Sequence, residues 1–150
     1  MPCRRFFLAY LVMLLTGLAA QVRADAPVFF AADGAAINGY DTVAYFADGA
    51  PVKGNADFAV MWKGAVWWFS SLQNRETFEA DPRSYAPQYG GYCAYAVARG
   101  YRTSTAPEAW QIVAGKLYLI HTVSVHQLWA HDIDSNIARA DANWPGVLRD

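Results

Sequence analysis

The chain has 150 residues, twelve of them basic and thirteen acidic, and 55% are hydrophobic, with six Trp, nine Tyr and eight Phe. A near-neutral charge excludes an electrostatic grip on nucleic acid or anionic lipid. Two cysteines, one of them at position 3, exclude a disulfide-stapled scaffold, so aromatic packing must hold the fold.

Residues 1–24 have the form of a cleavable export signal. Arg4 and Arg5 precede the apolar run Phe6 to Ala20, and small residues lie near Ala24. Thr16 and Gly17 interrupt a run already short for a bilayer, so no stable membrane anchor is expected after cleavage. The stretch Cys3 to Leu8 also fits the twin-arginine pattern, and both export routes stay open. Loss of Arg4, Arg5 and Arg23 leaves nine basic residues against thirteen acidic ones, a mildly acidic mature chain. Residues 25–150 are then one domain, periplasmic or secreted, with Cys93 as its sole thiol.

Within that domain, Asp33-Gly34 and Asp48-Gly49-Ala50-Pro51 are turn signals, and Thr42 to Phe46 between them reads as a short strand. Phe58 to Trp62 and Val66 to Phe69 flank Lys63-Gly64 as a hairpin. Ser70 with Gln73 reads as a capping box, opening a helix that turns Leu72 and Phe78 inward and stops at Asp81-Pro82. Gly90-Gly91 bends the chain into a small-residue helix, Cys93 to Arg99, closed by Gly100. Ala109 to Val113 and Lys116 to Ile120 form a second hairpin about Ala114-Gly115, followed by helices over Ser124 to His131 and Asp134 to Ala142. A shift of fifty-one positions sets Gly64 on Gly115, Trp67 on Tyr118, Phe78 on Trp129 and Asp81 on Asp132. The fold class is therefore α+β: two β-hairpin-helix units with an additional C-terminal helix, paired so that both aromatic hairpins are buried.

The aromatic hairpin ending at Phe69, the run Phe78-Glu79-Ala80-Asp81-Pro82 with Tyr85, and the opening Ile37-Asn38-Gly39-Tyr40-Asp41-Thr42 resemble the YHS domain. The likeness is to its exported single-domain members, and it implies a treble-clef-like fold. It extends over nearly all of the chain after Asp25, including Tyr89 to Ala94 and the tail Ala140 to Pro145. In metal-binding members, cysteines follow the hairpin and recur four residues later, one helical turn apart, so that both thiolates face one ion. Those positions are Ser70 and Asn74, and a further cysteine expected near Asn38 to Asp41 is absent too. The resemblance thus implies metal or small-ligand binding through a site partly lost.

The remaining candidates are few. Cys93, at a helix start after two glycines, is a candidate thiolate or ligand, while its neighbours Ala94, Ala96, Val97 and Ala98 suit a buried apolar thiol. With His121 it makes a candidate metal pair, suited to copper or zinc. Tyr92, Asp41 and Tyr40 are candidate ligand-binding residues, although a carboxylate after Asn-Gly is commonly a turn former. His126 and His131 stand about 140° apart on a helix and share no ligand face. No nucleophile elbow, phosphate loop, paired-histidine zinc helix or dinucleotide fingerprint occurs. The expected function is non-catalytic binding of a metal ion or small ligand near Cys93. The alternatives are a scaffold that binds an exported protein partner and a thiol-dependent enzyme using Cys93 with His121 or His126.

Overall fold

The computed structural model describes residues 24–149, so the expected export signal, apart from Ala24, lies outside the described residues. Ala31–Ala32 (β1) and Ala35–Ala36 (β2) form a short ribbon over Asp33-Gly34. Asn55–Trp62 (β3) pairs antiparallel with Ala65–Phe69 (β4), Val60 opposite Trp67 and Trp62 opposite Ala65. Trp110–Val113 (β5) and Lys116–Leu119 (β6) repeat the arrangement, with Val113 opposite Lys116. Both turns take positive φ at both central residues, 47° and 78° at Lys63-Gly64 and 51° and 75° at Ala114-Gly115. That handedness matches the twist of the strands they join.

Among the described residues, six α-helices complete an α+β architecture: Ala44–Ala47 (α1), Leu72–Ala80 (α2), Pro82–Tyr85 (α3), Ala94–Ala98 (α4), Val123–Ala130 (α5) and Ile133–Asn143 (α6). None of the described helices is long and apolar enough to cross a membrane. Three local expectations are corrected. The segment Thr42 to Phe46 is not a strand. The Asp41 carboxylate accepts the amides of Val43 and Ala44, which turns the chain into α1 against the β propensity of Thr42 and Val43. The cap of α2 is Ser71, whose Oγ accepts the Asn74 amide at 3.1 Å, because the Ser70 hydroxyl is engaged elsewhere. Finally, Phe78 is fully buried as expected but Leu72 is 51% exposed, lying in the first turn, away from the inward face.

The fifty-one-residue shift acquires structural content. Ser71 and Thr122 cap α2 and α5 through the amides of Asn74 and Val125. Asp81 and Asp132 cap α3 and α6 through the amides of Ser84 and Ser135. Phe78 and Trp129 are both at 0% exposure. Each half is hairpin, cap, helix, cap, helix. The two halves interlock at β6, where alternation sends Leu117 and Leu119 into one core cluster with Trp67, Phe69 and Phe78, while Tyr118 joins Cys93, Val97 and Trp129 in the other. Side chains of both hairpins thus share a core although their backbones belong to separate two-stranded sheets.

Candidate functional site

Three consecutive left-handed residues, Ile37 (φ 46°), Asn38 (60°) and Gly39 (73°), deliver Asp41 to the interior. A β-branched residue at positive φ is strained, and burial of Ile37 together with hydrogen bonds on both sides holds it there. The Ile37 amide donates to Phe30 O at 2.8 Å, and its carbonyl accepts from the Tyr40 amide at 3.2 Å. Gly39 has no substitute, since a Cβ would stand 2.6 Å from the Trp68 ring. Asp41 itself has no exposed surface. Its Oδ1 accepts the amides of Val43 (2.9 Å) and Ala44 (3.2 Å). Its Oδ2 accepts the Ser70 amide (2.8 Å), the Ser70 hydroxyl (2.7 Å) and the Asn74 side-chain amide (2.8 Å). Ser70 and Asn74, the two positions that the resemblance singles out, are thus tied to one buried carboxylate.

Cys93 occupies the corresponding place in the second half. Tyr89 (φ 54°), Gly90 (62°) and Gly91 (79°) make the same left-handed run, and Cys93 follows it as the residue ahead of α4. Burial pushes its thiol up, opposed by the backbone amides of Ala96, His121 and Tyr95. Two of these are the second and third residues after Cys93, as Val43 and Ala44 are after Asp41. The third, His121, lies fifty-one positions beyond Ser70. One left-handed run is therefore built twice, ahead of a fully hydrogen-bonded carboxylate in the first half and ahead of a thiol at 1% exposure in the second.

The other candidates scatter. The exposed His121 ring bonds Ser104, its Nδ1 lying 2.9 Å from the carbonyl oxygen, so only its backbone is at Cys93. Nε2 of His126 meets Gln111 Oε1 at 3.0 Å. Tyr92 donates to Pro27 O at 2.8 Å and packs on Phe30 and Trp144, with burial raising its phenol. Tyr40 bridges to Lys53, whose ammonium lies 4.9 Å from the ring centroid. A cavity of about 410 Å³ opens away from the Asp41 cage. It is lined by Trp62 and Lys63 of the first hairpin, Arg83 of α3, Gln88, Tyr89, and Asp141 and Trp144 at the end of α6. No local signal in the sequence points to it, because its residues come from segments far apart in the chain.

Among the described residues no group of three His, Cys, Asp or Glu side chains is placed to hold a metal ion. A soft ion requires thiolate or imidazole ligands. At the Asp41 cage the donors are a carboxylate filled by N–H and O–H groups, a hydroxyl and an amide nitrogen, and only the first is a strong ligand. At Cys93 burial disfavours the thiolate that a soft ion needs. Neither set fits copper or zinc. Residues 43–89 match the family model of the YHS domain, a metal-related module, and this segment contains Ser70 and Asn74. No curated protein and no solved structure matches the chain.

Proposed function

We propose, on the premise of that YHS domain, that the chain is an exported, non-catalytic binding protein whose ligand is a small molecule and whose metal centre has become a structural lock. The observation that carries this is the Asp41 carboxylate, which draws Ser70 and Asn74 into one hydrogen-bonded node. A lock of this kind joins the loop before α1 to the end of β4 and the first turn of α2, three segments that a bound ion would otherwise tie together. The buried Cys93 thiol supports the same reading, because nucleophilic or ligand chemistry requires an accessible thiolate.

Elemental analysis of the natively purified protein, beside Cys93→Ser, tests the proposal. Both proteins are expected to carry far less than one equivalent of any transition metal, with thermal stability unmoved by a strong chelator. A stoichiometric ion removed by Ser70→Ala or Asn74→Ala would overturn it. Amino-terminal sequencing of the protein from the envelope or medium tests export, with Asp25 expected as the first residue.

A further inference from the structure

We infer that the cavity between the first hairpin turn and the end of α6 binds a small planar organic anion. This rests on the small-ligand reading above and gives that ligand a place and a charge. The volume, about 410 Å³, lies in the range of small-molecule sites. Trp62, Tyr89 and Trp144 offer flat apolar walls.

The polar groups are asymmetric. Arg83 and Gln88 have no side-chain partner among the described residues, and Lys63 has only the face of Trp62, 4.9 Å from its ammonium. The one acid of the lining, Asp141, already accepts the Tyr89 hydroxyl at 2.8 Å. Two cations without an acidic partner among the described residues therefore face one committed carboxylate, in a chain whose thirteen acids outnumber its twelve bases. The bias continues outward, since an adjoining hollow shares Arg83 and Gln88 and adds Lys116, which has no side-chain partner among the described residues. An arginine fork and a lysine ammonium beside aromatic faces suit a carboxylate carried on a flat ring.

The wall is also set in advance. Tyr89 is held in left-handed backbone next to Gly90, where any Cβ would collide with the carbonyl of Val28 at 1.7 Å. A ligand therefore meets a rigid Tyr89 face, which lowers the ordering cost of binding.

Binding of naphthalene-2-carboxylate, naphthalene-2-methanol and inorganic phosphate is compared by calorimetry and by quenching of Trp62 and Trp144 emission. Wild type is set beside the double variant Lys63→Gln/Arg83→Gln, whose fold is checked by circular dichroism. The carboxylate is expected to bind about tenfold more tightly than the alcohol at low salt. That advantage should shrink as salt rises and vanish in the double variant, while phosphate binds more weakly than the carboxylate. Equal affinity for carboxylate and alcohol overturns the anion inference but leaves the small-ligand reading standing. A carboxylate advantage that survives the double substitution overturns the assignment of the site. Phosphate binding as tightly as the carboxylate overturns the planar body. Binding of none of the three overturns the inference, and a stoichiometric metal in the same preparation overturns the small-ligand reading with it.

Discussion

Replacing Asp41 with Asn is the sharpest test of the lock. The two side chains have nearly the same shape, so the packing around position 41 is conserved and only the hydrogen-bond roles change. Among the described residues, five donors converge on Asp41 and no acceptor does. Whichever way an amide is turned, its NH₂ faces either the fully buried amides of Val43 and Ala44 or the three donors of Ser70 and Asn74. A buried donor left unpaired costs about 1–3 kcal/mol, and water can reach the part-buried Ser70 and Asn74 side more cheaply. The sum is about 2–4 kcal/mol for Asp41→Asn and about 3–5 kcal/mol for Asp41→Ala, against a total stability of about 5–15 kcal/mol. Urea unfolding followed by tryptophan emission gives both values. If Asp41→Asn stays within about 1 kcal/mol of wild type, the carboxylate is a space-filler and the lock is refuted.

Three further outcomes follow from the same geometry. Cys93 should resist a thiol reagent in the native protein and react fully in denaturant, with labelling at the native rate of a free thiol counting against its burial. Stability should fall above about pH 10, because burial first, with the Asp141 hydrogen bond added at Tyr89, raises the phenols of Tyr45 and Tyr89 beyond their unfolded value. The native state then holds protons that the unfolded chain releases, so stability is complete below the unfolded pKa. It declines by about 1.4 kcal/mol per pH unit for each phenol as pH rises. Tyr89→Phe should flatten that slope in a denaturant series at pH 9 to 11, and an unchanged slope would exclude Tyr89 as a source. Gly90→Ala should cost more than about 3 kcal/mol or prevent folding, since a left-handed φ of 62° coincides with a backbone clash. Soluble expression and melting temperature would report it.

Hairpins and late helices are legible in the residues because each is set locally, whereas the cap of α2 is read one residue early, at Ser70 instead of Ser71. Lys63-Gly64 and Ala114-Gly115 dictate turns whatever surrounds them. The Thr42 to Phe46 segment misled because its β-branched residues are overruled by Asp41, whose partners Ser70 and Asn74 lie 29 and 33 positions away. The resemblance singles out Ser70 and Asn74, but not that they grasp a neighbouring carboxylate. The likeness of Asp41 and Cys93 is hidden by their unlike side chains, since what repeats is the backbone handedness ahead of them. The cavity was invisible because Lys63, Arg83 and Asp141 converge only after both halves have packed.

Strand β6 works as a party wall, with Leu117 and Leu119 on one side and Tyr118 on the other. Residues 43–89, the stretch recognised as a YHS domain, therefore end before the chain reaches two of the side chains that seal their own interior. Cut out by itself, that stretch should emerge from expression as an open, dye-binding collapse with no sharp melting. The two halves are expected to melt together, because tearing down the shared wall exposes both rooms.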